Sequence, residues 1–280
     1  MTLLSRDQVI ARLKQLPSLP SAVSEVLSSL ANEDADIETV AQQIARDQAL
    51  TARVLRVANS SFYGLQTKVG TIHEAVVILG FRAVRNMVLA VGMNGSFRVD
   101  QCRGFDAPGY LRHGVGVGLA ARALAGTARQ SPELAFTAGL LHDIGQLVLA
   151  SNFSSQYVEA LTYRKHHDCF LFEAEQAVLG IDHAEVGALL AETWRFPAAI
   201  RESIAYHHGP AAAPAQSLAN LVHVADVTAR ALGLSGAADE MVPALDPEAW
   251  ARLGVSWEAY AGVLSQIEKS FEETCHAVGA

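Results

Sequence analysis

The sequence predicts an all-α fold, on three observations. Apolar residues recur at i, i+3, i+4 and i+7 in most segments. Capping residues and Gly or Pro stops frame those runs. No alternating strand pattern of useful length appears. With 280 residues, half of them hydrophobic and 18% charged, the chain suffices for one large or two small folded domains. A formal charge of −8 argues against a general nucleic-acid binder. Cys102, Cys169 and Cys275 are scattered without metal-type spacing, which fits a reducing compartment. Met1 to Ile10 lacks a basic-then-apolar signal pattern, and the longest apolar run carries His142 and Asp143 at its middle. A cytoplasmic location without a membrane span is therefore expected.

The first hundred residues read as short helices. Pro20 opens one with Val23, Val26, Leu27 and Leu30 on one face, and Pro17-x-x-Pro20 is helix punctuation rather than a peptide ligand. Asp36 is placed to cap the next helix, with Ile37, Val40, Ala41 and Ile44 as its inner face. Asp47 starts a third, carrying Leu50, Val54 and Val57 until Asn59-Ser60-Ser61. Thr71-Ile72-His73-Glu74 reads as a capping box, and Gly80 as the stop of that helix. Phe81 to Met93 resumes helical spacing. Arg46, Arg53, Arg56, Lys68, Arg82 and Arg85 face only Asp47 and Glu74 in this stretch. They form a basic patch read as a solvated face, with a nucleic-acid or acidic partner as the alternative.

Phe97 to Gly109 reads as a connection, after which a second helical block holds nine of the ten histidines. His113 lies in the helix Leu111 to Leu124. Its Gly114, Gly116 and Gly118 miss the dinucleotide-loop spacing and instead let another helix approach closely. Ser131, Pro132 and Glu133 open an apolar run from Leu134 to Ala150, which places His142 and Asp143 on one buried helix. Tyr157 to Val178 continues in helical character, with His166, His167 and Asp168 exposed beside Arg164 and Lys165. Asp182 caps a helix with His183 in its first turn. Ala198 to Tyr206 runs into His207-His208-Gly209-Pro210, Leu218 to Leu232 carries His223 and Asp226, and Gly233 to Asp246 is a loop before a last helix. That helix has Tyr260, Val263, Leu264, Ile267 and Phe271 as its inner stripe.

A carboxylate among Leu, Val and Ala is costly unless it is paired. His142-Asp143 alone fits either a hydrogen-bonded core pair or a pair of metal ligands. The set His113, His142, Asp143, His183, His207, His208 and Asp226, spread over several apolar helices, favours metal ligation. Imidazole and carboxylate donors suit iron, manganese, zinc or magnesium, and two such ions can clamp a phosphate between them.

His113 … His142-Asp143 … His183 … Asp226 resembles the ordered signature of the HD superfamily of metal-dependent phosphohydrolases. The stretch Asp47 to Ser60, then Thr71 to Val76 and Leu79-Gly80, resembles the HDOD family, an HD-related output domain of bacterial signalling proteins. Gly139 to Gly145, Asp182 to Gly187 and His207-His208 match that family as well. The resemblance covers roughly residues 15 to 230. It implies a helical N-terminal part, residues 1–100, packed on an HD-like helical bundle, residues 101–280.

For function, the resemblance implies a regulatory signalling module that binds a partner protein or ligand, without catalysis. No receiver, cyclase or membrane sensor is expected alongside it in the chain. The alternative is a metal-dependent phosphohydrolase acting on a nucleotide or cyclic dinucleotide, with Asp143 as its catalytic residue. The cyclic-dinucleotide-cleaving HD-GYP relatives carry a Lys where this chain has Gln146. They also carry a Gly-Tyr-Pro motif after the paired histidines, where this chain has Gly209-Pro210 and an Ala-rich loop. Gln146 cannot serve as a charged acid or phosphate anchor. Arg112 and Arg195 are candidates to replace it as phosphate contacts. A signalling protein partner is expected, with a small nucleotide as a further ligand and neither nucleic acid nor membrane.

Overall fold

Short-range signals set most helix ends in the computed structural model, which describes residues 3–16, 22–23, 25–26, 37–60, 63–94 and 97–278. Ser5 and Gln8 form a reciprocal capping box that opens α1 (Arg6–Leu13). Val23 and Val26 are helical and buried, as the spacing predicts; Pro17, Pro20, Leu27, Leu30, Asp36 and Ser61 lie outside the described residues. The block continues with α2 (Ile37–Arg46), α3 (Gln48–Ala58), α4 (Ile72–Leu79) and α5 (Phe81–Asn94). Asp47 Oδ1 accepts from the Leu50 N–H at 2.9 Å, the expected cap of α3.

The expected capping box at Thr71 is only half formed. Thr71 accepts from the Glu74 N–H, but the Glu74 carboxylate turns to the Gly70 N–H at 2.7 Å, one residue further out. Of the basic patch, Arg46, Arg56, Lys68 and Arg82 are exposed, while Arg53 and Arg85 are half-buried.

The second block comprises α6 (Ala107–Thr127), α7 (Pro132–Leu141), α8 (Ile144–Asn152), α9 (Ser154–His167), α10 (Leu171–Leu179) and α11 (His183–Thr193). It continues through α12 (Ala198–Tyr206), α13 (Leu218–Ala231), α14 (Pro247–Leu253) and α15 (Trp257–Val278). Among the described residues there is no strand, so the architecture is all-α. Helix α7 is the hub, touching α5, α6, α12 and α13. The N-terminal helices join the bundle through α5 on α7 and α3 on α15, and one apolar cluster runs through both from Leu4 to Cys275. The α6 glycines act as the sequence suggests. A Cβ on Gly114 would lie 3.2 Å from the Leu140 carbonyl oxygen, and one on Gly118 would lie 3.2 Å from the Phe136 ring.

The helices depart from the expected pattern at three further points. The run Leu134 to Ala150 is two helices, α7 and α8, broken at His142 and Asp143. Asp143 has φ −97° and ψ 13°, and its carbonyl accepts from the Gln146 N–H at 2.9 Å, a tight turn that interrupts the α-helical ladder. Tyr157 to Val178 is likewise two helices, because Asp168 adopts a left-handed φ of 48° between α9 and α10. An additional helix, α14, follows the loop ending at Asp246, whose carboxylate caps it at Glu248 and Ala249. The segment Pro132–Asn152 is apolar and long enough to cross a membrane, but 89% of its most apolar window is buried inside the protein.

Candidate metal and anion site

The break between α7 and α8 turns His142 and Asp143 inward together. His113 comes from the middle of α6. His183 sits in the first turn of α11, whose N-cap Asp182 accepts from the Glu185 N–H at 2.9 Å. His207 and His208 follow α12, and Asp226 lies on α13. All of the predicted ligand residues converge, in two groups whose ligand atoms each lie within 4.8 Å of one another. One group is Asp143, His183, His207 and His208; the other is His113, His142 and Asp226. Only His208 among them is more than marginally exposed.

Asp143 is the hub of this centre. Its Oδ1 lies 3.1 Å from His183 Nε2 and 3.3 Å from His207 Nε2, and its Oδ2 lies 3.3 Å from His142 Nε2. Asp226 Oδ1 is 3.0 Å from His113 Nε2, and His208 Nε2 is 2.8 Å from His183 Nε2.

The outward-facing nitrogens are tied down. His142 Nδ1 lies 2.6 Å from the Gly139 carbonyl, His207 Nδ1 2.9 Å from the Ile204 carbonyl and His183 Nδ1 2.6 Å from Glu175 Oε2. A proton on each Nδ1 satisfies those acceptors, so that deprotonation of Nε2 gives a lone pair facing the centre, the tautomer a metal requires. Meanwhile His142 Nε2, His207 Nε2 and Asp143 Oδ1 are buried without a hydrogen-bond partner. Orphaned acceptors of that kind, facing one point, fit a divalent cation.

Sequence reasoning missed two residues of this centre. Glu175 on α10 is fully buried and accepts from both the backbone N–H and the Nδ1–H of His183, at 2.8 and 2.6 Å. Its signal was legible, since an acidic residue occupies the apolar face marked by Leu171, Val178 and Leu179. Arg230 on α13 donates to Asp226 Oδ1 at 2.8 Å and to His113 Nε2 at 3.3 Å. His223 is buried as a structural tie, bonded to the His207 carbonyl and to the Asp246 N–H.

Gln146 donates to Asp143 Oδ2 at 2.7 Å and so orients the carboxylate. Arg112 is not a site residue: both of its terminal nitrogens bind Glu272, and the guanidinium lies over Phe271 of α15. Arg195 is exposed in the turn after α11, at a left-handed φ of 56°, and does not line the cavity into which the centre opens. His73 is exposed and pairs with Glu38; His166 and His167 are exposed as expected.

The centre opens into a cavity of about 430 Å³. It reaches from Asp143 and His208 past Phe172 and Arg230 to the half-buried Arg164 and the exposed Lys165. Phe172 stacks on His208 with ring centroids 4.4 Å apart. The lining combines the rings of Phe172 and His208 with Arg164, Lys165 and Arg230, alongside Asp106, Asp239 and Glu240, and Arg164 donates to the Asp239 carbonyl at 2.7 Å. Stacking faces beside guanidinium and ammonium groups suit an anion carrying a flat ring once a divalent ion offsets the carboxylates.

Charges at the centre are strongly coupled. Burial works against the Asp143 carboxylate, but the neighbouring His142 and His183 outweigh it and hold its pKa well below the usual range. Burial likewise works to lower His183, but Glu175 and Asp143 together raise it well above its ordinary value. The sign for stability follows from linkage. The contribution of His183 is whole below about 6.5 and is lost as pH rises through its higher folded value. The contribution of Asp143 is whole above about 3.9 and is lost as pH falls through its lower one.

Metal ligation needs neutral His183, so protons and metal compete. Mn²⁺ affinity is expected to rise about tenfold per pH unit for each proton displaced. Calorimetric titration in two buffers of different ionisation enthalpy counts those protons. Proton-neutral Mn²⁺ binding near pH 7 would rule the expectation out.

An all-α bundle with a buried centre of histidines and aspartates defines a helical His/Asp-centred domain. The chain belongs to the HDOD family, whose domain model matches residues 16–210. A Shewanella amazonensis structure described as a phosphohydrolase candidate is 29% identical with a TM-score of 0.76, covering 96% of this chain and 97% of that one. A Marinobacter aquaeolei structure described as a candidate signal transduction protein shares the fold at 24% identity and a TM-score of 0.77. It covers all of this chain, which spans 62% of that one. An uncharacterized protein of Treponema pallidum is 27% identical over 225 residues; the match takes in 79% of this chain and 43% of that relative.

Proposed function

We propose that this chain is a regulatory signalling module that binds a divalent ion and a phosphate-bearing, nucleotide-sized ligand in the central cavity, without turning the ligand over. Occupancy of the cavity is passed to a partner protein through the helical surface, in the cytoplasm of a bacterium. The observation that carries the binding half is the set of unpartnered inward acceptors, His142 Nε2, His207 Nε2 and Asp143 Oδ1, beneath a cavity lined by Arg164, Lys165 and Arg230.

In this reading Asp143, His183, His207 and His208 hold the ion. Gln146 and Glu175 fix the orientation of Asp143 and His183. Arg230, with Arg164, offers donors to phosphate oxygens, and the ring of Phe172 offers a stacking face. A bound divalent ion would supply Lewis acidity toward a phosphoryl oxygen. Gln146 supports the absence of turnover, because it is neutral, engaged by Asp143 and unable to protonate a leaving group.

A second reading, a phosphohydrolase with Asp143 as its catalytic residue, is favoured by the complete His/Asp set and by the likeness to the Shewanella structure. The two readings separate in one series. Protein purified without chelator is assayed for bound iron, manganese, zinc and magnesium beside His207→Ala and Asp143→Ala. It is then melted with a panel of mononucleotides and cyclic dinucleotides while products are resolved by chromatography. The expected result is near-stoichiometric metal that falls at least tenfold in both variants, and a nucleotide-dependent rise in Tm with no product. Product that disappears in Asp143→Ala would establish the hydrolase instead. A folded wild type that takes up no metal, even with added iron or manganese, would overturn both readings.

A further inference from the structure

The two ligand groups are not equivalent, and Arg230 makes the difference. Asp226 and Arg230 are one turn apart on α13, a spacing that brings the guanidinium back onto the carboxylate. Arg230 Nε donates to Asp226 Oδ1 at 2.8 Å, and Nη2 donates to His113 Nε2 at 3.3 Å. Those acceptors belong to two of the three residues of the His113, His142 and Asp226 group. In the other group Asp143 Oδ1 and His207 Nε2 are left without a hydrogen-bond partner, whereas of the inward acceptors in the first group only His142 Nε2 is. The guanidinium is held from other sides too: Nη2 lies 4.0 Å from Asp143 Oδ2, and Nη1 lies 3.8 Å from Glu240 Oε1. A guanidinium is a permanent cation and accepts no metal, so while it sits there it neutralises Asp226 and repels a second ion.

We propose that Arg230 takes the place of a second divalent ion. The centre then binds one ion, at Asp143, His183, His207 and His208. Arg230 stands beside that ion as the second positive group facing an anion in the cavity. A guanidinium suits that part because its forked donors match phosphate oxygens, much as a second ion would clamp them. Arg230 lines the cavity and its side chain is 22% exposed, so its outer donors are accessible from the cavity side. This inference rests on the metal reading of the centre.

The test counts Mn²⁺ bound per chain, by calorimetry and elemental analysis, on the full chain and its variants with Mn²⁺ as the only added ligand. Wild type is expected to bind one ion. Arg230→Ala is expected to bind two, and the double variant Arg230→Ala, Asp226→Asn to return to one. Arg230→Gln keeps amide donors near Asp226 and carries the same expectation as Arg230→Ala if the latter does not fold. A separate arm needs no change at Arg230: His113→Ala should retain the wild-type ion, whereas His207→Ala should lose it.

Two ions in wild type would overturn the inference. So would one ion in a folded Arg230→Ala, or loss of the ion in His113→Ala with retention in His207→Ala; each of these leaves the metal reading standing. No ion in any folded form overturns the metal reading and this inference with it.

Discussion

Gly145→Ala is expected to lose about 3 kcal/mol of stability, a fall in Tm of roughly 10 °C. Gly145 lies in the first turn of α8 where that helix meets α11. A Cβ there would overlap the carbonyl oxygen of His183 and lie 2.7 Å from the backbone nitrogen of Gly187. Both obstacles are backbone, so no side-chain rotation relieves them and the helices must separate.

The same contact holds His183 Nε2 within 3.1 Å of Asp143 Oδ1, so the variant should also bind metal more weakly. Gly262→Ala in α15 is the control, because nothing lies within 4 Å of its Cβ. That change should be neutral or stabilising by up to about 1 kcal/mol, since Ala is the better helix former. Denaturant melts of the two variants decide the matter. A Gly145→Ala chain within about 0.5 kcal/mol of wild type, the range of an ordinary surface change, would mean that α8 and α11 are not in this close contact.

The second large effect is expected at Glu175. The Ala variant should lose about 3 kcal/mol, because it leaves two buried donors of His183 without an acceptor. The Gln variant keeps the volume and one acceptor but drops the charge that raises His183 and fixes its tautomer. It should fold, and its metal affinity should fall by about 10- to 100-fold, the usual cost of removing the partner of a ligand histidine. Calorimetric titration with Mn²⁺ on the Gln variant measures this without depending on any activity. Unchanged affinity in Glu175→Gln would remove Glu175 from the centre and leave it a packing residue.

Much of the helical framework was legible in the sequence because it is determined locally. Caps at Asp47, Ser131 and Asp182 act on N–H groups three residues ahead, and the apolar spacing of α3 and α15 marks the buried face directly. The histidines and aspartates of the centre were legible for a related reason: polar groups on apolar faces are conspicuous. By the same argument Glu175 was legible and was overlooked. The break between α7 and α8 was not, since no Pro or Gly stands at His142 or Asp143 and the run reads as a continuous helix.

What the chain by itself determined, then, is where helices begin and which polar residues they carry inward, because those depend on interactions spanning about one turn. Only the tertiary structure decided how the polar residues pair. His183 meets Asp143 because two glycines let α8 and α11 touch, and the seven ligand candidates divide into two groups because five different segments converge. It also decided which arginine matters. Arg112 and Arg230 are alike in sequence terms, each on a helix that carries one of the candidate residues. Glu272 of a distant helix holds the first away, while Asp226 and His113 hold the second at the centre. A long cationic side chain goes where its charge is best neutralised, and the partners that neutralise it are brought by the fold.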